Sequence, residues 1–216
     1  MNFHNKYWIV LSTGTVIFLY LKDVFTGLKW SEKLVKPKDM VIGRNTELAA
    51  MSKTYPLISE QEKSGYILLT RLCLSSQRQN ELIAFFEKLE DFSQDEDYMT
   101  TLNYVMEYSD KQDLFFIMAL DWKQDLETLE WRLTNSLNKN FNLDIDLPNL
   151  ENYDKRITVS FDNVFEDYDK SLRNIGMQIG FIDTQSDEYV IFVHKTVDRG
   201  RVEKAVNKIG YKYFEK

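Results

Sequence analysis

Hydrophobic and polar residues alternate most clearly between residues 177 and 195. In 177–183, apolar side chains at positions 177, 179 and 181 alternate with their neighbours, whereas 189–193 is a continuous run of β-branched and aromatic residues. The polar connection 184–188 is short, so the two runs are predicted to form an antiparallel hairpin. A strand that is apolar on both faces is normally central. We therefore expect 189–193 to lie inside the sheet, covered on each side.

Upstream of this hairpin, apolar residues recur at three- and four-residue spacings, which is typical of amphipathic helices. Ser59 followed by Glu62 is a capping-box pattern and predicts the start of the first helix. A third helix is predicted to begin at Ser93, with Glu96 as its capping partner. The inner positions of the three helices are Tyr66, Leu69 and Cys73, then Leu82, Phe85, Phe86 and Leu89, then Met99, Leu102, Val105 and Met106. Residues 55–112 are thus predicted to form a helical segment.

Strand and helix patterns mix in residues 113–216. The wholly apolar run 114–120 predicts a buried strand, and leucines at 126, 129, 133 and 137 predict a helix after it. A loop over 141–155 leads to an alternating strand at 156–161 and to a helix over 164–174 that ends before Gly176. A helix over 198–209 and a last strand at 211–214 follow the hairpin. This order predicts an α+β fold, a two-layer sandwich of an antiparallel or mixed sheet with helices mainly on one face.

The N-terminal segment 1–54 has a different character. Residues 8–21 carry no charge, but as a helix they would span only about 21 Å, short of a bilayer core. No small-residue cleavage site for a signal peptide follows them. Three interpretations stay open: a short or interfacial membrane anchor, a hairpin that turns at Thr13 and Gly14, and an extension outside the fold. Residues 22–54 are predicted to be a basic linker with short helical pieces at 29–36 and 45–52, which contacts lipid or a partner or is simply solvated.

Composition and charge narrow the functional class. A hydrophobic content of 44% excludes wholesale disorder. The single cysteine, Cys73, cannot form an intramolecular disulfide; it is predicted to be buried, in a protein of the reducing cytoplasm. Residues 1–54 contain eight Lys/Arg and four Asp/Glu, whereas 55–216, predicted as one α+β domain, contain 19 and 30. Such an acidic body argues against nucleic-acid binding.

Four carboxylates form the one group of residues that the sequence suggests for metal binding or catalysis. The sequence contains no P-loop, GxGxxG, GxSxG, HExxH or CxxC motif, and we predict no cofactor. If strand 114–120 lies beside the hairpin, Asp121, Asp125, Asp183 and Asp187 share one edge of the sheet. Three of them, Asp121, Asp183 and Asp187, are candidate ligands for Mg²⁺ or Ca²⁺. The alternative is that carboxylates at strand ends are hydrated or cap the adjoining helix.

Two further residue types are candidates for a functional surface. His194 shares a strand face with Phe192 and is more often structural than catalytic in such a position, because no nucleophile or orienting partner is evident. Trp122 and Trp131 are nine residues apart. Tryptophans anchor partner surfaces, although they complete a core more often.

Two stretches, LDWKQDLETLEWRL at 120–133 and GFIDTQSDEYVIFVH at 180–194, resemble a family of bacterial proteins of uncharacterised function. The resemblance covers about residues 60–216 and supports the fold, but it implies no activity.

Two classes of function fit the sequence. The first is a non-enzymatic binding protein of an immunity or regulatory type, whose acidic surface meets a protein partner. The second is a metal-assisted hydrolase that uses the acidic cluster at the hairpin edge. We favour the first, since the acidic body carries no catalytic motif.

Overall fold

The hairpin predicted at 177–195 forms the centre of the sheet. In this computed structural model, which describes residues 55–96, 100–154 and 156–216, four antiparallel strands lie in the order β1-β3-β2-β4. The strands are β1 (Met118–Asp121), β2 (Met177–Asp183), β3 (Glu188–Lys195) and β4 (Lys212–Phe214). The prediction that 189–193 lies inside the sheet is confirmed, because β3 pairs with β1 on one side and with β2 on the other.

Six α-helices occur in the described residues, and their bounds are α1 (Glu60–Cys73), α2 (Ser76–Phe86), α3 (Thr101–Lys111), α4 (Leu126–Ser136), α5 (Val164–Arg173) and α6 (Arg199–Ile209). A π-helical turn, Leu137–Phe141, extends α4, and 3₁₀ turns lie at Leu150–Asn152 and Thr196–Asp198. The Ser59 hydroxyl accepts a hydrogen bond from the Glu62 N–H at 3.1 Å, so the predicted start of the first helix is confirmed. None of the helices described is both long enough and apolar enough to cross a membrane.

The sheet is buried on both faces. Alternate residues of the hairpin point to opposite sides, as the pleat requires. Ile182, Val190 and Phe192 join a core with α1, α2, α3 and α6. The residues of opposite parity join a second core with α4 and α5, and they include Met177, Ile179, Phe181, Ile191 and Val193. The α+β class and the antiparallel sheet are therefore confirmed and most helices lie on one face, but α4 and α5 make three layers where two were expected.

The apolar run 114–120 becomes a strand only at its end. Phe115 has a φ of 50°, a left-handed conformation that cannot continue a strand. The carbonyls of Leu114 and Phe115 accept hydrogen bonds from the Asn140 side chain at 3.0 and 3.3 Å, and the Ser136 hydroxyl donates to Phe115 as well, at 3.1 Å. Side chains at the end of α4 thus take the place of a neighbouring strand. The predicted strand is correct for 118–120 and wrong for 114–117.

The predicted strand at 156–161 is wrong. The only strand-like contact of this segment, within the residues described, is an isolated bridge between Asp125 and Thr158. Its backbone closes local turns instead, since the Phe161 N–H donates to the Thr158 carbonyl at 3.1 Å. Val159 is nevertheless fully buried, in the core beneath α4 and α5. The alternating apolar residues of 156–161 are thus explained by the burial of single side chains such as Val159. No described strand pairs with this segment beyond the isolated bridge.

The third helix starts later than predicted. Its N-cap is Thr100, whose hydroxyl accepts a hydrogen bond from the Asn103 N–H, and α3 begins at Thr101. Ser93 lies in a turn in which its N–H donates to the Asp91 carboxylate at 3.0 Å. Leu102, Val105 and Met106 form the buried stripe, as predicted. Met99 and all expectations for 1–54, including those for 8–21 and the short helical pieces, lie outside the described residues.

Cys73 is buried within the core beneath α1, as predicted. Burial raises the pKa of its thiol well above the usual range. Because the thiolate is the reactive form, Cys73 behaves as a small apolar residue at neutral pH.

Candidate functional site

A cleft of about 520 Å³ opens at the loop end of the hairpin. We call it the tip cleft, and its lining residues that matter here are Trp122, Asp183, Asp187, Glu188, Tyr189 and Phe214. Trp122 is 44% exposed and Phe214 is 37% exposed, both high values for large apolar side chains. The tip cleft therefore combines exposed aromatic surface with carboxylates.

Sheet topology brings these residues together. Asp121 ends β1 opposite Glu188 on β3, and Asp183 ends β2 opposite Lys212 on β4. All four strands consequently place a terminus at the hairpin-loop end, as the sequence predicted for β1 and the hairpin. The charged residues in the cleft lining are Asp183, Asp187 and Glu188, and all three are acidic. The cleft is an electronegative surface with aromatic walls.

Three of the predicted carboxylates hold local turns. Asp121 accepts the Lys123 N–H at 2.7 Å, and Asp183 accepts the Gln185 N–H at 3.1 Å. Asp125 is the N-cap of α4 and accepts the Thr128 N–H at 2.7 Å, a bond that lowers the pKa of its carboxyl. No three His, Cys, Asp or Glu side chains in the described parts of the chain are grouped so as to hold a metal ion. The metal-assisted hydrolase stays a prediction, without a ligand set among these residues.

Neither tryptophan completes the core. Trp122 lies in the turn after β1, and the Lys123 ammonium lies 4.6 Å from the centre of its ring. Trp131, on α4, is 53% exposed and packs edge-on against Phe115 at 5.0 Å. Of the two, only Trp122 lines the tip cleft.

His194 lies near the opposite end of β3, about 20 Å from Glu188 at the rise of a β-strand. It is fully buried, and its Nδ1 lies 2.9 Å from the Lys195 carbonyl. A carbonyl can only accept, so Nδ1 carries the proton and donates. Burial lowers the pKa of His194, which keeps the ring neutral with Nε2 as an acceptor.

The neighbours of His194 complete a fully bonded chain of polar groups. Gln178 Nε2 lies 3.1 Å from His194 Nε2 and 2.8 Å from the Tyr213 hydroxyl, and its two N–H groups satisfy both. Tyr213 then donates to the Glu215 carboxylate at 3.0 Å. With both ring nitrogens occupied and no exposed surface, His194 has the arrangement expected of a structural residue.

Glu215 links this chain to two arginines. Its carboxylate accepts from Arg173 at 3.0 Å and from Arg199 at 2.5 Å. Arg173 also pairs with Asp169, a residue only 5% exposed that accepts the Ile179 N–H at 2.7 Å. Burial disfavours ionisation of Glu215, but hydrogen bonds from Arg173, Tyr213 and Arg199 outweigh it and lower its pKa to about 2. We call this group the base network; its members are Asp169, Arg173, Gln178, His194, Arg199, Tyr213 and Glu215.

Replacing Glu215 with glutamine is expected to lower the free energy of unfolding at neutral pH by about 1–2 kcal/mol, since the charged acceptor of two arginines is lost. The folded-state pKa lies below the ordinary value of 4.5, so ionisation of Glu215 stabilises the fold above that value and ceases to do so as the pH falls toward 2. Urea unfolding across this range should show the difference between Glu215→Gln and the unaltered protein shrinking with acidification.

Glu203→Gln is the matched control, because the contact of Glu203 with Arg199 is long, at 3.7 Å, and exposed. Its effect should be small at every pH. A Glu215→Gln deficit that stays constant down to acidic pH would contradict the assigned network.

Glu62 is a perturbed carboxyl that lies outside both regions. Partial burial, followed by repulsion from Asp91, raises its pKa to about 7. The fully buried hydroxyl of Tyr66, one helical turn further along α1, has no hydrogen-bond partner among the described residues. The capping-box pattern indicated the position of Glu62 at the start of α1, but it contained no sign of this burial, which arises from packing against other elements.

A second groove, of about 500 Å³, lies between α2 and α3. Four of its nine lining residues are aromatic, namely Phe85, Phe92, Tyr104 and Tyr108. Phe85 and Tyr108 stack on each other with ring centres 3.9 Å apart. Its rings thus pack against each other, and its charged lining residues, Glu81, Lys88 and Glu90, are of mixed sign. The tip cleft is therefore the better candidate for a charged partner.

The comparison with known families identifies a family and leaves the chemistry open. A family model described as a domain of unknown function, DUF6630, matches residues 54–216. The chain belongs to the DUF6630 family. The resemblance carried by 120–133 and 180–194 to a family of uncharacterised function is thereby confirmed. No curated protein and no solved structure matches the chain.

The predicted site residues of this DUF6630 chain divide into two groups. Trp122, Asp183 and Asp187 line the tip cleft, with Asp121 beside it on β1 and Asp125 on the adjoining helix. His194 belongs to the base network at the far end of the sheet. Sequence reasoning missed the aromatic partners Tyr189 and Phe214 as well as the residues that surround His194. Their alternation had indicated strands, but strand order alone decides which side chains meet.

Proposed function

We propose that this DUF6630 chain is a protein-binding domain whose tip cleft receives a basic segment of a partner. The observation that carries the proposal is the composition of the cleft lining, in which exposed Trp122 and Phe214 accompany three carboxylates, while the described lining residues include no lysine or arginine. Aromatic residues are enriched in binding hot spots, and a single sign of charge speeds the encounter with a partner of opposite sign.

The surroundings of the cleft support a cationic partner. Residues 55–216 contain 30 acidic and 19 basic residues, so the body as a whole attracts positive charge. The Lys123 ammonium lies 4.6 Å from the centre of the Trp122 ring, so the face of this exposed ring is accessible to a cation. A lysine or arginine of a partner would find both a π-face and carboxylates there.

A fluorescently labelled octalysine peptide, titrated into the full chain and followed by anisotropy, tests the proposal. We expect the double variant Asp183→Asn and Asp187→Asn to weaken binding roughly tenfold, because two interface charges are removed. Asp144→Asn with Asp146→Asn is the matched control, since both residues are exposed and lie in the loop before α5. The control changes net charge equally, so it should retain most of the affinity.

Two results would oppose the proposal. One is equal weakening by both double variants, which would mean that the peptide senses only net charge. The other is no binding at low ionic strength, where screening is weakest. Added salt should weaken the specific complex progressively, as expected for partly exposed charges.

A further inference from the structure

Three aromatic rings beside the tip cleft surround the ammonium group of Lys216. Its Nζ lies 4.3 Å from the ring centre of Tyr189, 5.1 Å from that of Phe165 and 6.0 Å from that of Phe181. Each distance is within the range over which a cation is attracted to an aromatic face. Aromatic cages of this kind bind alkylammonium groups.

Three different elements build this cage. Phe165 comes from the first turn of α5, Phe181 from β2 and Tyr189 from β3. Phe165 packs edge-on against the other two rings, with centres 5.0 and 4.9 Å apart. Phe165 and Phe181 are almost fully buried, so the fold fixes their positions independently of Lys216.

The Lys216 ammonium is held only weakly, by its contacts with the rings. Within the described residues, no salt bridge or hydrogen bond of its ammonium accompanies the ring contacts. The preceding residue, Glu215, is anchored by the two arginines of the base network, whereas Lys216 follows β4 outside the sheet. An exposed cation–π contact changes an equilibrium constant only about fivefold, so another cation can displace this side chain.

We infer that the cage is an alkylammonium-binding subsite that takes a lysine side chain of the partner in exchange for Lys216. This inference rests on the proposed function and names the group recognised. Tyr189 links the two regions, because it lines the tip cleft and contributes the closest ring of the cage. A basic segment in the cleft therefore lies next to the cage, and Lys216 acts as an internal competitor.

Tetramethylammonium chloride is a suitable probe, because its methyl protons give one NMR signal that shifts upfield and gains saturation transfer near aromatic rings. We expect Lys216→Ala in the full chain to bind this ion about fivefold more tightly than the unaltered protein does. Lys212→Ala is the matched control: Lys212 is an exposed lysine of β4 that lies over no ring of the cage. The neutral analogue tert-butanol should show no comparable transfer.

Adding Tyr189→Leu to Lys216→Ala should abolish the gain, with thermal unfolding used to verify the fold. If that variant does not fold, Phe165→Leu removes a second ring and serves the same purpose. Equal affinity of Lys216→Ala and Lys212→Ala for tetramethylammonium would overturn the inference, and so would equal transfer to tert-butanol.

The octalysine titration separates this inference from the proposed function. Octalysine binding that depends on Asp183 and Asp187, without enhanced tetramethylammonium binding in Lys216→Ala, would overturn the cage and support the cleft. Enhanced tetramethylammonium binding without octalysine binding would support the cage as an ammonium site and oppose the protein-binding function.

Discussion

Replacing Asp169 with alanine is expected to lower the free energy of unfolding by about 3 kcal/mol, the largest single effect that we predict. The carboxylate is buried and satisfies the Ile179 N–H of β2 while it pairs with Arg173. Strand β4 pairs with residues 181–183 of β2, so no other described strand offers a backbone partner to that N–H on its outer side. Removal of the side chain leaves a buried donor unsatisfied, and urea unfolding measures the loss.

Two variants test the cause of this loss. Asp167→Ala, on the same helix, removes an exposed carboxylate whose one side-chain hydrogen bond within the described residues comes from the Tyr153 hydroxyl, so it should cost no more than about 1 kcal/mol. Asp169→Asn should be intermediate, because an amide oxygen still accepts from Ile179 although the charge is lost. An Asp169→Ala loss no greater than that of Asp167→Ala would show that Asp169 does not connect α5 to the sheet.

Gly65→Ala is expected to lower the free energy of unfolding by about 2 kcal/mol, although alanine favours a helix by roughly 1 kcal/mol over glycine. Gly65 lies where α1 crosses α6, and a Cβ there would be 2.8 Å from the Ala205 carbonyl oxygen and 2.9 Å from the Ile209 nitrogen. Both are backbone atoms, so relief requires the two helices to separate. The same urea experiment gives the change.

Gly200→Ala provides the opposite case within α6, where a Cβ would meet nothing within 4 Å. This substitution should leave stability unchanged or raise it slightly, through helix propensity alone. If Gly65→Ala is as stable as Gly200→Ala, the close contact between α1 and α6 is not the reason for glycine at position 65.

The candidate site was predicted in part, because local sequence patterns indicate where strands end but not which distant side chains come into contact. Asp121, Asp183 and Asp187 could be placed at one edge of the sheet from the sequence, since strand ends and the hairpin loop mark that edge. Tyr189 was predicted to be in the sheet, but its contact with Phe165 from α5 depends on how that helix packs on the sheet. Nothing in the spacing of residues 165 and 189 indicates that they meet. The base network likewise joins residues from α5, β2, β3, α6, β4 and the segment after β4.

By itself, the sequence determined the elements whose signals are local. The hairpin, the N-cap at Ser59, the buried stripe of α3 and the helix end before Gly176 depend on alternation, capping and conformational preference over a few residues. These interactions act within one turn or one strand pair, so the local sequence is sufficient to specify them.

Tertiary structure decided which apolar segments found partners. Residues 114–117 and 156–161 have apolar patterns typical of strands, yet Asn140 and local turns satisfy their backbones. Contacts between distant elements also explain three further features: α4 and α5 cover the second face of the sheet, Glu62 is partly buried, and three rings lie near Lys216. Hydrogen bonding and burial between residues far apart in the chain depend on the arrangement of whole elements, which no local pattern specifies.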